Sequence, residues 1–76
     1  MYKQAMELIN NLRGKKFSLK IFDEEVDAIE TRETIDENIW FLKNTGREFK
    51  VIADWRHLSE QRKRDIIDYL KTIQNG

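Results

Sequence analysis

The 76-residue chain has no cysteine, no proline and a single histidine. Without cysteine, no disulfide can cross-link the fold and no thiolate zinc site can form, which suits a reducing compartment. No continuous apolar segment is long enough for a signal peptide or a membrane span. We therefore expect a cytoplasmic protein that binds no membrane. The lack of proline and the wealth of Lys, Ile, Glu and Asn are typical of small proteins from low-GC bacteria and their phages.

The length of the chain limits it to one small domain over residues 1–76. A domain of this size buries only about 60% of its unfolded surface, and its net stability is a few kcal/mol. A catalytic pocket needs about 300 Å³ or more of shaped cavity, which so small a core can hardly spare. No sequence motif indicates an enzymatic activity. We therefore expect a protein that is not an enzyme and that has no cofactor and no metal site.

Two amphipathic helices are predicted, one at each end of the chain. Apolar residues recur at helical spacing over residues 2–13, and Gly14 stands where a left-handed C-cap is expected. A second helix begins near Ser59, a favourable N-cap residue. Its predicted buried stripe consists of Ile66, Ile67, Leu70 and Ile73.

Between these helices the pattern predicts strands. Residues 17–21 alternate, which places Phe17, Leu19 and Ile21 on a core face. A hairpin follows, with Asn44-Thr45-Gly46 as a three-residue loop in which Gly46 takes the positive φ of a G1 bulge. The return strand over residues 49–54 alternates too. Its expected core residues are Phe49, Val51 and Ala53, with Ile52 on the other face.

The segment 23–37 is ambiguous, because it fits either a short helix capped by Asp23 or a strand. Its Thr and Ile content favours a strand or an extended connection. The predicted fold is therefore α+β: an N-terminal helix, an antiparallel sheet of three strands (four if this segment adds one), and a C-terminal helix.

The run Ile39-Trp40-Phe41-Leu42 is apolar on both sides of the expected pleat, so both faces of this strand need a cover. If both helices lie on one face, the other face exposes Trp40, Leu42, Ile52 and Phe22 as a binding or dimerisation surface. If the helices sandwich the sheet, these residues form a second layer of core. We favour core, because small domains seldom leave two large apolar side chains in water.

The net charge of the chain is zero, but acidic and basic residues are concentrated in separate segments. The segment 23–37 carries a net charge of −7. This segment either cancels the basic segments and aids solubility, or engages a basic surface on another protein. We predict a non-catalytic protein-binding module, a small regulator or inhibitor, with a homodimer or homo-oligomeric structural subunit as the alternative. Its predicted partner-binding residues are Glu24, Glu25, Asp27, Glu30, Glu33, Asp36, Glu37 and Trp40.

A nucleic-acid-binding domain is the rival hypothesis. The predicted element order is similar to that of double-stranded RNA-binding domains, whose second helix opens with lysines that grip phosphate. Arg62-Lys63-Arg64 stands there in this chain, with Arg56 shortly before it. The Lys-Lys-x-x-Lys spacing, the alanine-rich second helix and the Gly-Pro hairpin loop of that family are missing. Because the chain has no surplus of positive charge, we expect nucleic acid less than protein as its partner.

Asp54, His57 and Ser59 are the residue types of a hydrolase triad, but they lie within six positions of one another. A triad needs side chains that converge from separate elements, so we assign these residues to caps and turn contacts instead. One histidine with scattered carboxylates also lacks the spacing of a zinc site.

Overall fold

The computed structural model describes residues 1–12, 15, 17–26, 28–31 and 37–75. Strands β1 and β2 form a two-stranded antiparallel sheet, and β3, β4 and β5 form a three-stranded antiparallel sheet with β4 in the centre. The α+β class is confirmed, and the ambiguous segment supplies two of five strands. In chain order the elements are α1 (Tyr2–Asn11), β1 (Leu19–Ile21), β2 (Glu24–Val26), β3 (Ala28–Thr31), β4 (Ile39–Asn44), β5 (Phe49–Asp54), a 3-10 turn (Trp55–His57) and α2 (Glu60–Asn75).

The two helices follow their apolar periodicity. Ser59 caps α2 as predicted, because its hydroxyl accepts a hydrogen bond from the Arg62 backbone N–H at 3.2 Å. The Gln74 side chain donates to the Leu8 carbonyl at 2.8 Å, which ties the end of α2 to α1. The proposed C-cap Gly14 lies outside the described residues. The predicted stripe of α2 is confirmed, with Ile66, Ile67 and Leu70 buried and Ile73 half-buried.

A two-residue turn joins β1 to β2. Its residues Phe22 and Asp23 have φ values of 49° and 63°, and a type I′ turn requires positive φ at both of these positions. Of the two alternatives for this segment, the helix capped by Asp23 is therefore wrong, and the favoured extended conformation is confirmed over β2 and β3. Phe22 stands at the tip of this hairpin and is 53% exposed.

The β4–β5 hairpin contains a bulge that alternation did not predict. Phe41 lies opposite Ala53 but Leu42 lies opposite Val51, so Ile52 is the extra residue. The shift puts Val51 and Ala53, which strict alternation would place together, on opposite faces. Phe49 and Val51, predicted as core, are 54% and 53% exposed. Ile52, predicted on the other face, packs against the core.

The hairpin loop spans residues 45–48, because Asn44 pairs with Phe49, and is one residue longer than predicted. Gly46 has the expected positive φ, 90°. The Thr45 hydroxyl donates to the Glu48 carbonyl at 2.7 Å, and the Gly46 N–H donates to the Asn44 side chain at 2.8 Å. These bonds close the loop, while the bulge lies inside β5 rather than at the loop.

A single hydrophobic cluster holds the fold together. It joins α1, α2 and the β1–β2 hairpin to Ile39 and Phe41 of β4, and the Phe41 ring lies 6.5 Å from the ring of Trp55. Both helices therefore pack on the Phe41 side of β4. Neither Trp40 nor Leu42 belongs to the cluster. The preference for core is confirmed for Leu42, which is 6% exposed, and for Ile52, which packs against the cluster. Trp40 is instead half-buried outside the cluster.

Candidate functional site

The side of the three-stranded sheet away from the helices carries four apolar residues. We call Trp40, Leu42, Phe49 and Val51 the apolar sheet face. Leu42 pairs with Val51 and Asn44 pairs with Phe49, which places the β4 and β5 members on the same face. Leu42 is 6% exposed and Trp40 is half-buried, whereas more than half of Phe49 and Val51 is exposed. Solvent therefore reaches Phe49, Val51 and part of Trp40 on this face, while Leu42 is buried.

The bulge at Ile52 creates this patch. Without it, strict alternation would put Val51 and Ala53 on one side and return Val51 to the Phe41 face. β5 is also an edge strand of its sheet. A bulge and an exposed lysine, here Lys50, are features that hinder uncontrolled pairing along such an edge. We therefore expect a partner to contact the side chains of the apolar sheet face rather than pair with the backbone edge of β5.

The acidic segment borders the apolar sheet face. β3, which is part of segment 23–37, pairs with β4 on the side away from β5, and Glu30 lies opposite Trp40 in the register. The segment carries eight acidic residues against Arg32. Backbone pairing thus places Glu30, the one acidic residue of β3, opposite the aromatic residue that the sequence singled out. Three of the predicted partner-binding residues, Asp27, Glu33 and Asp36, lie outside the described residues.

The other acidic candidates have separate local roles. Glu24 forms an ion pair with Lys43 at 2.5 Å, and this hydrogen bond and charge lower the pKa of the Glu24 carboxyl. Glu25 accepts a hydrogen bond from the Ser18 hydroxyl at 3.2 Å. Glu37 is exposed, with φ of 48°, two residues before β4. Glu24 therefore fastens the β1–β2 hairpin to the central strand, and Glu37 is open to a partner.

The basic residues of the nucleic-acid hypothesis are partly engaged inside the molecule. The Arg62 guanidinium lies 5.8 Å from the centre of the Phe22 ring. The Lys63 ammonium lies 5.9 Å from the Trp55 ring and 3.4 Å from the Glu60 carboxylate. Arg56 and Arg64 are exposed. The element order also departs from that of double-stranded RNA-binding domains, because the described residues between the helices form five strands rather than three.

Asp54, His57 and Ser59 make the turn and cap contacts expected of them. The Asp54 carboxylate accepts the His57 backbone N–H at 3.0 Å and lies 3.3 Å from the imidazole Nδ1. Ser59 caps α2. Asp54 is only 4% exposed and lies opposite Trp40 in the sheet, so its carboxylate stands at one end of the apolar sheet face.

Sequence reasoning missed Phe49 and Val51 as surface residues, and it missed a groove of about 320 Å³ between the β1–β2 hairpin and α2. The two-sided apolar run of β4 was the available signal for the sheet face. No described helix is long and apolar enough to cross a membrane. Comparisons with protein families, curated proteins and solved structures found no match. Function is therefore inferred from the geometry of the described residues.

Proposed function

We propose that this chain is a non-catalytic protein-binding module, a small regulator or inhibitor, which engages its partner through the apolar sheet face. The observation that supports this most strongly is that Trp40, Phe49 and Val51 lie outside a core already closed by both helices. Contiguous exposed apolar patches on small proteins mark sites of interaction. Aromatic residues in such patches are common anchors of protein interfaces.

The charge beside the apolar sheet face indicates the kind of protein surface that would bind it. Strand β3, whose Glu30 lies opposite Trp40 in the register, borders the face on one side, and the segment 23–37 to which β3 belongs has a net charge of −7. A complementary surface has an apolar centre and basic residues along one rim. Complementary charge raises the association rate and helps to select the partner. Burial of the aromatic centre lowers the dissociation rate. The partner is thus a protein with a basic-rimmed apolar surface.

A nucleic-acid partner has less support from these contacts. Affinity for nucleic acid depends on basic side chains that neutralise its phosphates, and this chain has no net positive charge. Arg62 and Lys63 already contact aromatic rings, and Lys63 is paired with Glu60. The acidic segment would also repel a phosphate backbone. A protein partner uses both the charge and the apolar residues of the sheet face.

The test compares two variants of neighbouring positions in β5. Phe49→Ser with Val51→Ser removes two exposed members of the sheet face, whereas Lys50→Ser changes the exposed residue between them on the opposite face. Tagged wild-type and variant proteins are used to capture partners from extracts of native host cells, with quantitative mass spectrometry as the readout. We expect the double variant to lose a basic partner that the Lys50→Ser control retains.

Circular dichroism of both variants establishes that they are folded. Equal capture by the double variant and the control would overturn the proposal. Light scattering of the wild type addresses the alternative. Self-association that the double variant abolishes would make a second copy of the chain the occupant of the sheet face.

A further inference from the structure

The two edges of the three-stranded sheet differ in how they are protected. The β5 edge has a bulge and the exposed Lys50, which hinder pairing with another strand. β3, at the opposite edge, pairs with β4 alone among the described strands. It pairs in continuous register along Ala28–Thr31 and contains neither proline nor lysine. The β3 edge is therefore the one open to a further strand.

The backbone groups of Ile29 and Thr31 point toward this open edge. The Ile39 N–H donates to the Asn38 side chain at 2.9 Å, so Ile39 does not form a hydrogen-bonded pair with Thr31, which lies opposite it. Hydrogen-bonded and non-hydrogen-bonded pairs alternate along an antiparallel ladder. Glu30 therefore bonds to β4, whereas the N–H and C=O of Ile29 and Thr31 face away from β4. An extended segment of another chain adds as a strand to groups of this kind.

The charge along this edge selects a basic segment. Residues 27–37 contain five acidic residues against Arg32, a net charge of −4. Glu24 and Glu25 are outside this count, because each is already engaged within the molecule. A second copy of the chain would bring the same negative charge against the edge, and like charges placed together oppose such a dimer. Lysine or arginine side chains of a partner would instead neutralise these carboxylates.

The open edge is continuous with the apolar sheet face. Glu30 of β3 lies opposite Trp40 of β4, and neighbouring strands are about 4.8 Å apart. A strand added to β3 would therefore run about 10 Å from β4, and alternate side chains would lie on the side of the sheet that carries Trp40. One partner can thus cover the apolar sheet face and reach the β3 edge.

We propose that the partner of the apolar sheet face adds an extended segment rich in lysine or arginine to β3, as a fourth strand of this sheet. The backbone of the segment pairs with Ile29 and Thr31, and its cations meet the acidic residues of 27–37. The identity of the partner rests on the proposed function, whereas the pairing with β3 is a separate claim that a peptide can test.

Hydrogen exchange of the full-length, ¹⁵N-labelled protein tests the pairing residue by residue. In the free protein, the amides of Ala28 and Glu30 should exchange more slowly than those of Ile29 and Thr31, because only the first two bond to β4. A capped basic peptide, Lys-Thr-Lys-Val-Lys-Thr, at millimolar concentration should slow the exchange of Ile29 and Thr31. Unchanged exchange at these two residues would overturn the proposal.

Two control peptides separate charge from backbone pairing. Gln-Thr-Gln-Val-Gln-Thr has no charge, and the basic peptide with every backbone nitrogen methylated keeps the charge but has no N–H to donate. We expect each control to bind at least about fivefold more weakly than the basic peptide, whose binding should weaken as salt increases. Equal binding of either control would overturn the proposal, because charge or strand pairing would then be dispensable.

A pair of variants tests the edge from the side of the protein. Ile29→Pro removes an outward N–H without removing a hydrogen bond to β4, and Ile29→Val keeps the N–H. Binding of the basic peptide should weaken about fivefold or more in Ile29→Pro and stay within about twofold in Ile29→Val. Unchanged binding by Ile29→Pro would overturn the pairing. If the β4 amide resonances show that Ile29→Pro has lost the β3–β4 pairing, the methylated peptide decides the question with the wild-type protein.

The failure of this proposal is distinguishable from that of the proposed function. Loss of the captured partner by Phe49→Ser with Val51→Ser, without protection of Ile29 and Thr31 by the basic peptide, would overturn the strand addition alone. Protection of Ile29 and Thr31, with the captured partner retained by the double variant, would support the strand addition and refute the sheet face as the site of the partner.

Discussion

Truncation of Trp40 and truncation of its neighbour Phe41 should lower the free energy of unfolding by very different amounts, although both are large aromatic residues of the central strand. Phe41 is fully buried against the helices and beside Trp55. Phe41→Ala leaves a closed cavity, for which the loss is about 3–5 kcal/mol. The total stability of a domain this size is about 4–11 kcal/mol, at roughly 0.05–0.15 kcal/mol per residue. Phe41→Ala should therefore lose a large share of the stability of the domain and unfold at a much lower urea concentration than the wild type.

Trp40 lies half-buried on the uncovered face and outside the core cluster. Water can occupy the space that Trp40→Ala leaves, so the cavity contribution drops out. The transfer contribution remains, at roughly half of the 1.5–3 kcal/mol that full burial of a large apolar side chain contributes. The variant should remain folded with reduced stability. This difference between neighbours follows directly from the placement of both helices on one side of the sheet.

Urea unfolding followed by far-ultraviolet circular dichroism measures both variants on one scale. Trp40→Ala should keep a cooperative transition with the wild-type slope and a lower midpoint, since a changed slope would mean a changed extent of unfolding. Trp55 remains in both variants as a fluorescent probe of the core. Loss of folding in Trp40→Ala, or a cost equal to that of Phe41→Ala, would refute the assignment of Trp40 to an open face.

Two further predictions concern charge. Glu30→Lys, Glu33→Lys and Glu37→Lys together should weaken binding of a basic partner and reduce its dependence on salt, and unchanged affinity in a folded variant would exclude the acidic segment from the interface. The pKa of Glu24 lies below its ordinary value because Lys43 donates a hydrogen bond to its carboxylate and attracts its charge. Its contribution to stability is therefore present above about pH 4.3, the ordinary pKa of glutamate, and is lost as the pH falls through the lower folded-state pKa. An NMR titration should show that the Glu24 pKa rises in Lys43→Met, and an unchanged pKa would remove the ion pair as its cause.

The helices and the fold class were predictable because helical periodicity is a local property. Ser59 and the stripe formed by Ile66, Ile67 and Leu70 are positioned by spacing alone. The β4 half of the apolar sheet face, Trp40 and Leu42, was foreseeable as one of two alternatives, since the run from Ile39 to Leu42 has apolar residues on both sides of the strand. Its β5 half was not foreseen, because Phe49 and Val51 were predicted as core. The sequence alone could not decide whether this side is core or surface, because that depends on where α1 packs in three dimensions.

The errors arose where backbone geometry departs from simple alternation. A bulge adds one residue without a sequence signature, and Ile52 thereby exchanged faces with Val51. The β1–β2 turn was missed because Phe22-Asp23 replaces the Asn-Gly pair that usually marks a type I′ hairpin. The bulge also defines the candidate binding surface, since it exposes Phe49 and Val51.

The affinity of the captured partner, once purified, tests the central claim most directly. We predict that Phe49→Ser with Val51→Ser weakens its binding at least about tenfold, or roughly 1.4 kcal/mol, because truncated interface anchors lose energy of this order. The Lys50→Ser control should bind within about twofold of the wild type, as expected for a residue outside the centre of the interface. Equal dissociation constants for the double variant and the control would contradict the assignment of the apolar sheet face as the binding surface.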